Sequence, residues 1–151
     1  MIDIKSLNEL KTLVGRDLGA SPWTTLSQEM IDDFARATGD HQWIHTEPEA
    51  ASRGPFESTI AHGFLILSMM SAKVAEVYVF KNMEYGLNYG CNRVRFVQPV
   101  KSGESIRMLP KITSIASKES GLLVASEVRV EASEGTRTVC YAELLSLVRW
   151  A

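Results

Sequence analysis

Gly39-Asp40-His41-Gln42-Trp43-Ile44-His45 sets an acid and an imidazole five residues apart. Thr59-Ile60-Ala61-His62-Gly63-Phe64-Leu65 follows, with the Gly63 amide at the start of a strongly apolar helical stretch. An acid, a base and a backbone N–H facing a developing oxyanion are the parts needed to add water to an activated acyl chain, or to remove it. At a helix start the Gly63 N–H has no partner within the helix, and the dipole favours negative charge there. Trp43, Ile44 and Ile60 make the surroundings apolar. Burial raises a carboxyl pKa and lowers an imidazole pKa, which brings both groups toward neutral pH. Each residue also has a plainer reading. Asp40 suits a turn, His45 a hydrogen-bonded structural histidine, His62 a packing or capping residue, and Gly63 a close backbone approach.

The positioning elements are well signed. Residues 6–13 read as a short amphipathic helix (Leu7, Leu10, Leu13) and Leu18–Thr25 as a short extended segment. Ser27 suits an N-cap, with Leu26 and Ile31 as a hydrophobic staple. Ile31, Phe34, Ala35 and Thr38 then share one helical face. Gly39 suits the left-handed stop, so Asp40 emerges where the chain leaves that helix. Thr46-Glu47-Pro48-Glu49 reads as a capping box with proline in the first turn, and Gly54 as the stop of that short helix. His45 is expected in the turn between two capped helices. Residues 60–80 read as a long helix, apolar on nearly every face, that needs wrapping. Asn88–Val97, Glu104–Ile115, Gly121–Glu131 and Arg137–Trp150 read as strands separated by glycine-containing turns. Together these elements give an α+β fold, a curved antiparallel sheet around one helix. A sheet with an uncovered edge favours a dimer.

Other candidates are weaker. His41 and His45 form an H-x-x-x-H pair, but Gln42 is no general base and no third ligand is evident, so no metal is expected. Ser68 reads as a helix serine bonding back to a carbonyl, and Met69 and Met70 as core or pocket lining. Arg93 and Arg95 flank Val94 in a strand and so are expected on one face, where arginine suits phosphate.

The 151 residues fit one domain, 1–151, with a real core. The chain is 45% hydrophobic and 23% charged with net charge −2, and it has no basic run. That composition argues against a nucleic-acid partner. Cys91 and Cys140 lack metal-type spacing, and both are expected buried in strands, a disulfide being possible but not implied. The N-terminus lacks signal-peptide order. The longest apolar run, Gly63 to Val79, is interrupted by Lys73 and Glu76, so no membrane span is expected. The expected location is the cytoplasm.

Asp40-x4-His45, then Ile60-Ala61-His62-Gly63-Phe64-Leu65, then Asn92-Arg93-Val94-Arg95-Phe96-Val97-Gln98-Pro99-Val100, resemble the MaoC-like dehydratases. These include the (R)-specific enoyl-CoA hydratases. The Gly39–His45 version is most similar to the nodulation protein N-like branch. The resemblance runs from about Val14 to Val148. It implies a hotdog fold, usually a homodimer, and syn addition of water to a trans-2-enoyl thioester of coenzyme A or acyl carrier protein, giving the (R)-3-hydroxyacyl product. It further implies Asp40 and His45 as the acid–base pair and Gly63 as the oxyanion donor. Ser68 matches a serine that assists some members, and His62, Trp43 and Arg95 are expected to contact substrate. No cofactor is implied, because the thioester already activates the β-carbon. Many members read Asp-x-Asn-Pro-x-His, and here Gln42-Trp43 replaces Asn-Pro. The loop loses a constraint, and the Trp43 ring is expected to reshape the acyl tunnel. Two other readings share the thioester ligand: a hotdog thioesterase and a non-catalytic acyl-CoA-binding protein.

Overall fold

The computed structural model describes residues 1–150. Its frame is a five-stranded sheet in the order β2-β5-β6-β7-β4. The strands are β2 (Thr24–Thr25), β4 (Met83–Phe96), β5 (Ser105–Lys118), β6 (Gly121–Ala132) and β7 (Arg137–Trp150), and every neighbouring pair is antiparallel. A second, parallel pair joins β1 (Ile2–Ile4) to β3 (Tyr78–Phe80). The four long strands match the expected ones, although β4 begins five residues before Asn88.

The helices are α1 (Leu7–Leu13), α2 (Gln28–Thr38), α3 (Trp43–Thr46), α4 (Pro48–Ser52) and α5 (Gly63–Val74). Helix α5 packs on β5 and β7. Leu65, Ile66, Met70 and Val74 join Ile106, Met108, Val128, Val139 and Ala142 in the core. Alternation along β6 sends Val124, Val128 and Val130 into that core. Arg129 stays outside, while Glu131 is covered by an ion pair with Arg107.

Helix α2 follows its sequence signals. The Ser27 hydroxyl accepts from the Met30 N–H at 3.2 Å, Leu26 and Ile31 are fully buried, and Gly39 takes a left-handed φ of 80°. Other expectations fail locally. Helix α5 has 12 residues, not the stretch 60–80. Ile60 is bridged to Lys101, and the Ala61 N–H bonds to Val100 O, so the chain before Gly63 is held as strand-like backbone. Beyond Val74 the aromatic and β-branched run Tyr78-Val79-Phe80 finds β1 as a partner and leaves the helix. The outer side of α5, Phe64, Ser68, Ser71 and Ala72, is exposed rather than wrapped. The Thr46 capping box does not form. The Thr46 hydroxyl bonds back to His41 O and Gln42 O, and Glu47 occupies the N-cap without a side-chain bond.

The sheet carries two further corrections. A register shift lies between Asn92 and Arg95 in β4, and Arg93 has a φ of 51°. This bulge breaks the alternation that would put Arg93 and Arg95 on one face. Cys140 is buried and Cys91 is exposed, because β4 is an edge strand whose residues are nearly all open. Both thiols are free.

Candidate active site

The end of α2 delivers Asp40, the single turn of α3 delivers His45, and the start of α5 delivers His62 and Gly63. These four residues come together. His45 and His62 are buried, at 8% and 3% exposure, and their rings stack with centroids 3.8 Å apart. His62 also meets Phe34, at 5.1 Å between ring centroids. One side-chain donor atom from each of Asp40, His45 and His62 lies within 4.8 Å of the others.

Backbone carbonyls orient both imidazoles. His45 Nδ1 lies 2.7 Å from Ile60 O, and His62 Nε2 lies 3.0 Å from Asp40 O. A carbonyl only accepts, so His45 carries its proton on Nδ1 and His62 on Nε2. His45 Nε2 is therefore left with a lone pair. His62 Nδ1 is buried and has no protein partner among the described residues. Burial lowers the His45 pKa, and the neighbouring His62 lowers it further. The Ile60 carbonyl and the Asp40 carboxylate pull the other way, and the net direction is down from 6.5. A neutral imidazole at neutral pH follows. Asp40 is exposed, not partly buried as expected, and its carboxylate accepts a long 3.4 Å bond from the Gln42 N–H.

Gly63 opens α5, so its N–H has no intrahelical acceptor. The Phe96 ring lies against it, and a Cβ at position 63 would come within 2.7 Å of that ring. A cleft of about 230 Å³ joins His45 to Gly63 and is lined also by Ile66, Phe96 and Pro99, while Asp40 and His62 lie outside its lining. The other sequence candidates fall elsewhere. Ser68 bonds back to Phe64 O at 2.7 Å and lines a different cleft with Leu67 and Gly90. Trp43 packs against Gly54 and does not line the His45 cleft. Arg95 is exposed, and its guanidinium donates to Val94 O. Sequence reasoning missed Gln28, which bonds the His45 carbonyl, and the covering ring of Phe96. Nothing in a Ser-Gln helix start distinguishes such a glutamine from a solvated one.

Three donors in reach of one another raise a metal reading. The two imidazole planes lie only 26° apart. An imidazole lone pair lies in its ring plane, and stacked near-parallel planes do not bring two of them to a common point as a metal needs. The arrangement suits proton transfer better than ligation.

The chain belongs to the family of MaoC-like domains, whose model matches residues 9–135. It is 38% identical over 151 residues to 3-hydroxyacyl-thioester dehydratase Z of Mycobacterium tuberculosis, covering 99% of both chains. It is 40% identical over 148 residues to nodulation protein N of Rhizobium leguminosarum bv. viciae, covering 96% of this chain and 92% of that one. Its fold is similar to that of unliganded R-hydratase PhaJ1 from Pseudomonas aeruginosa, with a TM-score of 0.75 at 22% identity, over 91% of this chain and 83% of the other. The fold is the α+β hotdog arrangement expected from the sequence.

Proposed function

We propose that the chain is a hydro-lyase that adds water reversibly to trans-2-enoyl thioesters and forms (R)-3-hydroxyacyl thioesters. The observation that carries this reading is the His45 tautomer. The Ile60 carbonyl holds the proton on Nδ1 and leaves Nε2 with a lone pair, in a residue that lines one cleft with Gly63 and has a ring nitrogen within 4.8 Å of an Asp40 carboxylate oxygen. The names of the dehydratase and hydratase relatives point the same way.

In this mechanism the thioester carbonyl accepts from the Gly63 N–H. Water attacks the β-carbon while His45 Nε2 takes one of its protons. Negative charge develops on the thioester oxygen, where the amide and the helix start stabilise it. Asp40 holds the water and helps pass the proton that His45 has taken to the α-carbon on the same face. His45 returns to neutral, and the net change is one water added. The β-carbon is already electrophilic through conjugation, so the step needs no metal or redox cofactor. Turnover that survives exhaustive chelation supports this. Loss on chelation, restored by a divalent ion, contradicts it.

The long exposed edge β4 carries Leu87, Tyr89 and Phe96. An edge of this kind is a pairing surface, and it supports a homodimer. Among the described residues no helix is long and apolar enough to cross a membrane. The test is hydration of trans-2-enoyl-CoA substrates, with the product checked for R configuration.

A further inference from the structure

We infer that Gln28 is a positioning residue for His45, its side-chain amide acting with Thr59 to set the imidazole from behind the cleft. The inference rests on the reading of His45 as the base.

Helix α3 is one turn of four residues, and its N-cap makes no side-chain bond. A single turn does not support itself. The aim of His45 must therefore come from tertiary bonds, and the structure shows which. Ile60 N–H donates to Ile44 O at 2.9 Å, and His45 Nδ1–H donates to Ile60 O at 2.7 Å. Gln28 closes the lacing. Its Nε2 donates to the His45 carbonyl at 2.7 Å, and its Oε1 accepts from the Thr59 hydroxyl at 2.5 Å. Among the described residues no other side chain bonds to both segments.

The amide orientation is determined. Nε2 also donates to Asp32 Oδ1 at 2.8 Å, and a carboxylate only accepts, so the oxygen must face Thr59. All three polar contacts of the amide are thereby used. The His45 carbonyl lies in the last turn of α3 and has no donor within that helix, so Gln28 meets a need as well as supplying a tie. The base of the tie is rigid. Gln28 is the first residue of α2, which is fixed by the Ser27 cap and the buried pair Leu26 and Ile31. Thr59 is itself buried, and its carbonyl accepts from Ser102 N–H. Removing the amide leaves the His45 segment tied to the Thr59–Ile60 segment by the two Ile60 bonds alone. The contact that suffers is Nδ1–H to Ile60 O, the one that leaves Nε2 free.

The experiment compares wild type with Gln28→Met, Thr59→Val and the double variant by two readouts. Nitrogen-15 NMR reports the His45 tautomer, and kinetics with crotonyl-CoA separate kcat from KM. The expected wild-type signal is a pure Nδ1–H imidazole. Gln28→Met should give a mixture of tautomers, with kcat lowered about 10- to 100-fold and KM changed less than about threefold. Thr59→Val should lose less, and the double variant should be no worse than Gln28→Met, because both remove one linkage. A folded Gln28→Met with the wild-type tautomer and wild-type kcat overturns the inference. If Gln28→Met does not fold, Thr59→Val decides by the same readouts. A tautomer shift in a protein that hydrates no enoyl thioester supports the positioning role and contradicts the hydratase reading.

Discussion

At the scale of single residues the proposed reaction depends on the protonation of His45. Asp40→Asn and His45→Gln should each lower kcat by about 10²- to 10⁴-fold while far-ultraviolet circular dichroism and cooperative melting persist. Wild-type turnover in both variants would remove the assignment. The pH dependence has a defined sign. Burial is the largest influence on His45 and lowers its pKa from 6.5. The base is the neutral form, so kcat/KM should hold through neutral pH and fall with a midpoint below 6.5. The same shift affects stability. Below 6.5 the unfolded chain protonates this imidazole before the folded chain does, so the unfolded state binds more protons. Stability should decline as pH falls from 6.5 through the folded midpoint and should be unaffected by this group above 6.5. Melting of wild type against His45→Gln at a series of pH values reads this out. Asp40 raises the His45 pKa, so Asp40→Asn should move the His45 NMR midpoint further down.

At the scale of elements, the junction of α5 with β4 places the oxyanion donor. Gly63→Ala would set a Cβ within 2.7 Å of the Phe96 ring, so that ring must move off the cleft. The expected result is at least a tenfold loss of kcat, roughly the size associated with disturbing one oxyanion donor, with a smaller effect on KM. Unchanged kcat would show that the ring and the amide are not coupled. The sequence revealed these elements unevenly. The stop of α2 at Gly39 was readable because one cap, one staple and one left-handed glycine agree. The start of α5 at Gly63 was readable, but its end at Val74 and the strand-like backbone before it were not. An apolar run such as 60–80 does not itself show that Ile60 bridges Lys101 or that Tyr78–Phe80 pairs with β1, since both are long-range bonds. The exposure of Asp40, the Arg93 bulge and the tie from Gln28 were hidden for the same reason. The positions of Asp40 just past α2 and of Gly63 at the start of α5 were legible from stop and cap signals, whereas His45, expected in a turn, lies in the single turn of α3. Ser68 bonds back to a carbonyl as its helical reading has it, whereas Trp43 and Arg95 were not placed, because helix and strand registers decide where those side chains go.

At the scale of the whole molecule, the core lies under one side of α5 while β4 stands open along 14 residues. Sedimentation should give the mass of a dimer, and Leu87→Lys on that strand should shift the equilibrium toward monomer. A monomeric wild type would contradict the dimer. The cysteines supply an independent readout. Burial pushes the Cys140 thiol up to about 11, whereas Cys91 is exposed on β4. Cys140 should resist alkylation in the folded protein. Cys91 should react slowly in a β4-paired dimer and quickly once Leu87→Lys separates the copies.

The most direct measurement of the central claim is the loss of enoyl-thioester ultraviolet absorbance, with crotonyl-CoA and longer trans-2-enoyl-CoAs, in wild type beside Asp40→Asn. The account predicts rapid loss in wild type with an (R)-3-hydroxyacyl product, and almost none in the variant. Equal loss in both, or release of free thiol in place of a hydroxyacyl product, would contradict it.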